Sequence, residues 1–301
     1  MNWNQAIRQF RNYMKLERSL SGNSVNAYVR DIQKLHQFIE LSNPELKPED
    51  IKQKNLEEFL QYITELQLNA RSQSRVISGI KSFYKYILLE DIVESNPSAL
   101  IESPKISMKL PEVLDIEEID KIEAAIDLSR PEGQRNKAII ETLYSCGLRV
   151  SELINLKLSN LYFEEGFIKV IGKGNKERLV PLNNKVMKEI NFYLQDRRKL
   201  PSIAKEAENV LYLNRRGKGL TRVMIFTIVK QLVKKAGIKK NISPHTFRHS
   251  FASHLVDGGA DLRAVQEMLG HESIITTEIY THLDNDYLRS AIIQYHPREK
   301  S

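Results

Sequence analysis

Histidines, arginines and a tyrosine crowd into one short stretch of this 301-residue chain. The stretch runs from Ser243 to Leu283 and reads SPHTFRHSFASHLVDGGADLRAVQEMLGHESIITTEIYTHL. Its reactive or charged side chains include His245, Arg248, His249, His254, His271, Tyr280 and His282. Imidazole, guanidinium and phenol groups take part in metal binding and in proton or phosphoryl transfer, so these are the chemistries to compare.

A zinc hydrolase site is the first alternative, because clustered histidines often bind zinc. The spacing here is HxxRH and not HExxH, since Thr246 stands where a general-base glutamate would be needed. The single cysteine, Cys146, excludes a disulfide framework, and its small or apolar neighbours favour a buried thiol over a nucleophile. We expect no metal and no other cofactor, and the chain contains no GxxxxGK[ST] nucleotide-binding loop.

Phosphoryl transfer on a diester is the second alternative. Two arginines can neutralise the charge on a pentacoordinate phosphorus. A tyrosine oxygen can attack phosphorus and hold it covalently, with a histidine to help remove its proton, and a lysine on a hairpin can protonate the leaving alkoxide. The residue types and spacing favour this chemistry without settling it.

Motifs along nearly the whole chain resemble those of the tyrosine recombinase (phage integrase) family, especially its XerC/XerD-like branch. They are Arg149 within CGLRVSEL, Lys173 within IGKGNKERLVPL, HTFRH at His245 to His249, LGH ending at His271, Tyr280 within IYTH, AYVRDI around Tyr28, and LPEVL near residue 112. Five reactive motifs in the family's order are specific, whereas one HxxR is not. Glu272 departs from the small or polar residue common in relatives, which affects the surroundings of His271 and leaves the reactive residues intact.

The resemblance implies a role for each matching residue. Arg149 and Arg248 would clamp the scissile phosphate, and Glu152 would orient the surroundings of Arg149. Lys173 would protonate the departing 5′ oxygen, and Tyr280 would form a 3′-phosphotyrosyl bond. The family roles of the remaining two residues are assistance of proton transfer by His245 and a bond to a phosphate oxygen from His271; His249, His254 and His282 match no reactive role and are expected to pack or lie on helix surfaces.

The implied function is site-specific DNA recombination, of the Xer type that resolves chromosome dimers. The expected partners are a double-stranded recombination site and a tetrameric synapse with itself or a paralogue; a DNA translocase is a further candidate. A mobile-element integrase and a type IB-like topoisomerase use the same chemistry and stay as alternatives. An integrase often has a preceding arm-binding module, and this chain starts almost at the first core helix, which favours the Xer role. A DNA-binding protein without chemistry is disfavoured because every reactive position is filled.

Apolar residues at three- and four-residue steps predict the helices that carry these motifs. Helices are predicted near residues 3–15, 27–39, 51–66, 70–89, 116–126, 134–144 and 221–236, and again after Ser243, after Asp261 and over 276–282. The helix over 221–236 is predicted to bury Met224, Ile225, Ile228, Leu232 and Val233. A hairpin of strands 167–171 and 178–182 presents Lys173 in its turn, a helix break falls at Gly147, and 210–213 is predicted to be a short strand.

These elements predict a mainly α fold with a small β-sheet, in two domains that close as a clamp around duplex DNA. The predicted parts are a helical core-binding domain over 1–103, a linker over 104–112, an α+β catalytic domain over 113–283 and a tail over 284–301, which the resemblance implies is exchanged between protomers. Arg71, Arg75, Ser78, Ser82 and Lys85 on one face of the fourth helix, together with Arg222, are predicted to contact DNA phosphates.

The composition agrees with an anionic partner without requiring one. Lys and Arg outnumber Asp and Glu by 45 to 38, for a net charge of +7. The chain lacks a signal-peptide pattern and any apolar run of membrane-spanning length, so we expect a cytoplasmic protein that does not contact membranes.

Overall fold

A computed structural model describes residues 1–105, 112–270 and 282–299, with backbone only for Lys173 and residues 282–286. It divides into two compact units, Met1–Lys109 and Leu110–Ser301. Residues 106–111 lie outside the described part, so the extended form of the predicted linker stays a prediction.

The first unit is helical in its described residues. Its helices are α1 (Trp3–Leu16), α2 (Gly22–Ser42), α3 (Gln53–Glu65) and α4 (Ala70–Leu89). Each helix turns an apolar stripe inward, and Phe10, Leu35, Phe59 and Phe83 lie fully within the shared core. Side chains of Asn2, Ser21 and Asn69 accept the first free amides of α1, α2 and α4, which fixes where those helices begin. The predicted helices of this region are confirmed.

The second unit combines helices with a small sheet. Its helices are α5 (Ile116–Ala124), α6 (Gly133–Ser145), α7 (Val150–Ile154), α8 (Asn184–Arg198), α9 (Arg222–Lys235), α10 (Pro244–Gly258), α11 (Leu262–Leu269) and α12 (His282–Tyr295). The strands β1 (Leu161–Tyr162), β2 (Phe167–Ile171) and β3 (Glu177–Pro181) form an antiparallel sheet in the order β1-β2-β3. The mainly α fold with a small sheet and the predicted hairpin are therefore confirmed.

Two local predictions are wrong. Residues 210–213 do not form a strand, because Val210 pairs with Lys157 and Leu213 with Gly219, so the two ends bridge different segments. In α9, Met224 is 38% exposed, while Val229 takes the inward position. The apolar run marked the right helix, and Ile225, Leu232 and Val233 are buried as predicted, so the error is confined to one edge of the buried face.

The described helices include none long and apolar enough to cross a membrane. The predicted helix over 276–282 falls almost wholly outside the described residues; only His282 belongs to the described part, as the first residue of α12.

Candidate active site

Arg149 is held where α6 breaks and α7 begins. Gly147 makes the break with φ +57°, and a Cβ there would lie 2.5 Å from a ring carbon of Phe251, so both the turn and the packing require glycine. Arg149 then caps α7, and its backbone amide donates to Oε2 of Glu152 at 2.9 Å. Its Nη1 donates to Oε1 of the same carboxylate at 2.9 Å, so Glu152 fixes both the backbone and the side chain of Arg149.

Arg248 reaches the same place from α10. It is 7% exposed, and its guanidinium donates to the carbonyl oxygens of Gly147 at 2.8 Å and Leu269 at 2.5 Å. Its Nη1 lies 4.0 Å from Oε2 of Glu152. Burial, and after it the charge of Arg149, lowers the pKa of Arg248 to about 10, so the group still carries its charge at neutral pH.

His245 lies one helical turn before Arg248 on α10 and is exposed. Partial burial and then the positive charge of Arg248 lower its pKa below the ordinary value, with His249 and Arg149 adding to the effect. A lowered pKa keeps the imidazole neutral near pH 7, which is the form that accepts a proton.

The backbone of Lys173 lies in the turn that joins β2 to β3. In that turn Gly172 donates to the carbonyl oxygen of Lys176 at 2.8 Å. A Cβ placed on Gly172 would lie 3.5 Å from both Oε1 of Glu152 and Nη1 of Arg178. The start of the lysine turn therefore lies beside the carboxylate that holds Arg149.

His271 and Tyr280 belong to residues 271–281, which lie outside the described part of the chain. The residue before them, Gly270, ends α11 with φ +63°, and its carbonyl oxygen accepts a hydrogen bond from Nη2 of Arg149 at 3.3 Å. The segment with the predicted nucleophile thus begins next to the first arginine.

Arg178 is a site residue that the sequence patterns did not single out. It lies on β3, and its Nη1 and Nη2 donate to Oε1 and Oε2 of Glu152 at 2.9 and 2.8 Å. Its Nε donates to the carbonyl oxygen of Met268 at 2.7 Å. Burial alone would raise the pKa of Glu152, but the hydrogen bonds and charge of Arg178, aided by Arg149, bring it below the ordinary value. A basic residue five positions after Lys173, near the start of β3, was the available signal.

Within the described residues, the arrangement is a cluster of guanidinium groups around one carboxylate. Arg149, Arg178 and Arg248 contribute three positive charges and Glu152 one negative charge. An excess of fixed positive charge suits an anionic group such as a phosphate. No three His, Cys, Asp or Glu side chains in the described ranges are grouped so that they could hold a metal ion.

The remaining predicted residues lie outside this cluster. His254 lies on α10, and its Nδ1 lies 2.8 Å from the hydroxyl of Tyr144, so it is a packing histidine. Cys146 is fully buried, and burial raises the pKa of its thiol, which agrees with the prediction of an unreactive cysteine.

Of the predicted DNA contacts in the first unit, Arg71 and Lys85 are exposed on α4. Arg75 is paired with Asp31, the Ser78 hydroxyl donates to the Ser74 carbonyl oxygen, the Ser82 hydroxyl lies 3.9 Å from the Met14 sulfur, and Arg222 is exposed at the start of α9.

The chain is similar to known proteins over nearly its whole length. The phage integrase family matches residues 112–286, and the phage integrase N-terminal SAM-like domain matches residues 7–91. A protein named tyrosine recombinase XerD from Staphylococcus epidermidis is 40% identical over 98% of this chain and 99% of its own length. One of the same name from Chlorobaculum tepidum is 42% identical over 98% of this chain and 97% of its own length.

Solved structures of recombinases have a similar fold. The XerH site-specific recombinase bound to difH substrate is 26% identical, with a TM-score of 0.68 over 89% of this chain and 79% of that chain. The Tn1549 transposon integrase has the same fold, with a TM-score of 0.71 at 21% identity over 94% of both chains. The chain therefore belongs to the phage integrase family and is a site-specific DNA recombinase of the tyrosine type. Within that family its relatives place it in the Xer type.

Proposed function

We propose that Arg149, Lys173, His245, Arg248, His271 and Tyr280 form one active site that cuts and rejoins DNA through a 3′-phosphotyrosyl intermediate. The observation that carries the proposal is the approach of Arg149 from α7 and Arg248 from α10 to the single carboxylate of Glu152, at 2.9 and 4.0 Å. Two cations held rigidly at one point, with His245 a turn away, suit a diester phosphate whose charge grows during attack.

In the proposed reaction the phenol oxygen of Tyr280 attacks the scissile phosphorus, and its proton passes to His245. The bond between phosphorus and the 5′ oxygen breaks, and Lys173 donates a proton to that oxygen. Arg149, Arg248 and His271 stabilise the phosphate oxygens meanwhile. The phosphotyrosyl bond conserves the energy of the diester, so a second 5′ hydroxyl can reverse the step without ATP.

The proposed partners are a double-stranded recombination site and a synapse of four protomers, formed with itself or with a paralogue. Residues 1–103 would grip one face of the site, with Arg71, Arg75, Ser78, Ser82 and Lys85 as phosphate contacts. Residues 104–112 would link the domains. Residues 113–283 would carry the chemistry and one more phosphate contact, Arg222. The same proposal includes closure of both domains around DNA and exchange of the 284–301 tail between protomers. It also includes action in the cytoplasm on chromosome dimers, with help from a DNA translocase. Full-length similarity to proteins named XerD supports this role over that of a mobile-element integrase.

The test is covalent trapping on nicked suicide DNA, with a duplex that the protein itself selects from a random-sequence library. The wild type should give a protein–DNA adduct on a denaturing gel, and Tyr280→Phe should give none. Tyr287→Phe is the matched control, because Tyr287 lies seven residues later on α12 and is 46% exposed. An adduct with Tyr280→Phe would contradict the assignment of the nucleophile, and relaxation of supercoiled plasmid that lacks the selected site would favour the topoisomerase alternative.

A further inference from the structure

Arg178 and Glu152 form a buried ion pair with two parallel hydrogen bonds. The Arg178 side chain is 12% exposed and that of Glu152 is 2% exposed. Both oxygens of the carboxylate accept from Arg178, at 2.9 and 2.8 Å, while Oε1 also accepts from Arg149 and Oε2 from its amide. The two guanidinium groups therefore share one carboxylate. The Arg178 side chain makes two parallel hydrogen bonds to it, whereas the Arg149 side chain makes one.

The position of Arg178 connects three elements of the site. It is the second residue of β3, just after the turn that carries Lys173, and its Nε donates to the carbonyl oxygen of Met268 near the end of α11. A Cβ on Gly270 would lie 3.1 Å from Cδ of Arg178. The lysine turn, the start of α7 and the end of α11 thus meet at this one side chain.

The charge at the site gives Arg178 a function beyond packing. Glu152 orients Arg149, but a lone carboxylate in contact with Arg149 and 4.0 Å from Arg248 would cancel part of the positive charge that a phosphate requires. With Arg178 paired to it, three guanidinium groups face one carboxylate and a surplus of two positive charges remains. A phosphodiester under attack by a phenolate also carries two charges, of the opposite sign.

We propose that Arg178 is a positioning residue that neutralises and orients Glu152, so that Arg149 meets the scissile phosphate aligned and with its full charge. The inference rests on the proposed phosphate roles of Arg149 and Arg248. Arg178 itself is turned toward Glu152 and Met268, so it acts through them and not by contact with DNA.

Three variants test the charge argument in the full-length protein on suicide DNA. Arg178→Met keeps volume and loses charge, and the single-turnover cleavage rate should fall by about tenfold to a hundredfold while the Kd for DNA changes by less than about threefold. Arg178→Lys keeps the positive charge but cannot make the two parallel hydrogen bonds. Its cleavage rate should lie between those of the wild type and Arg178→Met. Glu152→Gln added to Arg178→Met should raise the rate above that of Arg178→Met alone, because glutamine has no charge that could cancel Arg149.

A modified substrate separates this role from loss of structure. A methylphosphonate at the scissile position has no negative charge on phosphorus, so it needs less positive charge from the protein. The deficit of Arg178→Met should shrink to within about threefold on that substrate. Arg197→Met is the matched control: Arg197 is a buried arginine of α8 whose Nη2 donates to the carbonyl oxygens of Glu208 and Val210 at 2.7 and 2.9 Å, so any deficit should be equal on both substrates.

Arg149→Ala separates failure of this inference from failure of the proposed function. If methylphosphonate does not relieve Arg149→Ala, the proposed phosphate clamp is wrong. If it relieves Arg149→Ala but not Arg178→Met, or if Glu152→Gln fails to restore any rate to Arg178→Met, Arg178 is only structural and the inference is overturned.

Discussion

Each buried cation at the site is stabilised by a carbonyl or carboxylate oxygen. Arg248 donates to Gly147 and Leu269, the ends of two helical segments where carbonyl oxygens have no helical partner. Such oxygens carry the partial negative charge of a helix end and hold a cation without adding a full opposing charge. This explains how Arg248 can be buried and still remain available to an anion.

His245 should show a pKa below the ordinary value of about 6.5 in the DNA-free protein, because burial and then Arg248 disfavour its charged form. The neutral imidazole that accepts a proton would then persist to lower pH. Titration of labelled histidine rings by NMR measures this value. His249→Gln removes a nearby positive contribution and should move the pKa of His245 back upward; a wild-type pKa at or above about 6.5 would refute the prediction.

The residues of the site differed in how far their sequence neighbourhood revealed them. Arg149, Lys173, His245 and Arg248 lie within motifs, so a resemblance was enough to select them. Arg178 was missed because its partner Glu152 is 26 positions away, and a single arginine among charged residues of a hairpin has the pattern of a solvated strand end. The contact exists only once β3 and α7 are packed together.

At the scale of elements, local sequence patterns predicted the helices better than they predicted which strands pair. The α4 bounds of Ala70–Leu89 follow from the Asn69 cap and an unbroken apolar stripe, which are both local signals. The supposed strand at 210–213 failed because strands need a partner along their length, and the partners of Val210 and Leu213 are in different places. The charged face of α4 was likewise judged without its neighbour α2.

Arg75 shows what that neighbour changes. Its Nη1 donates to Oδ2 of Asp31 on α2 at 2.9 Å, its Nη2 lies 2.9 Å from Oδ1 of the same carboxylate, and Asp31 is buried. Gly79 permits the approach of α4, since a Cβ there would lie 2.8 Å from Cβ of Asp31. The weaker DNA binding expected from Arg75→Ala would therefore be mixed with a loss of stability.

Arg75→Ala should destabilise the first unit by about 1–3 kcal/mol, because a buried carboxylate loses its partner. Burial already raises the pKa of Asp31 despite Arg75, and loss of Arg75 should raise it further. A raised carboxyl pKa favours the protonated native state, so the destabilisation should shrink as the pH falls toward about 4. Urea unfolding followed by fluorescence of Trp3, the single tryptophan and a core residue of this unit, measures it.

Asp31→Asn combined with Arg75→Ala is the variant for DNA binding, because it removes the buried charge as well. It should recover most of the lost stability while DNA binding stays weakened, with a flatter dependence on salt. Lys85→Ala, on the exposed face of the same helix, is the matched control for a phosphate contact without a buried partner. If the DNA affinity of all these proteins depends equally on salt, this face of α4 is an ordinary solvated face and does not contact DNA phosphates.

At the scale of the whole molecule, the end of the described chain closes the second unit. Leu288, Ala291 and Ile292 of α12 lie in its core, while Ile293 is 51% exposed. Arg298, 7% exposed, pairs with Asp120, Glu123 and Glu141, so the end of the described part of the chain contacts α5 and α6. Exchange of this tail between protomers stays a prediction, and the same charges would receive a neighbour's tail.

Glu141 lies at the centre of this network, with Oε2 at 3.3 Å from Lys185 and 3.5 Å from Arg298. Burial, and after it the carboxylate of Glu123, raises the pKa of Glu141 to about 8. At neutral pH Glu141 is therefore protonated in the folded chain and ionised in the unfolded one. The folded state binds the extra proton, so the free energy of unfolding should fall as the pH rises from about 4.5 to about 8 and then level off.

Glu141→Gln should remove that dependence, since the amide mimics the protonated carboxyl and does not titrate. The comparison belongs between pH 7 and 8, because His296, whose pKa is lowered to about 3 by burial and then Arg298, no longer contributes there. Far-UV circular dichroism in urea, with Trp3 fluorescence reporting the first unit separately, gives the two unfolding free energies. Glu90→Gln, an exposed glutamate at the end of α4, is the control. If the free energies of unfolding of wild type and Glu141→Gln respond alike to pH over this range, Glu141 is ionised in the folded chain. The charges of Lys185 and Arg298 balance those of Glu123 and Asp120, so an ionised Glu141 would leave this buried network with a net charge of −1.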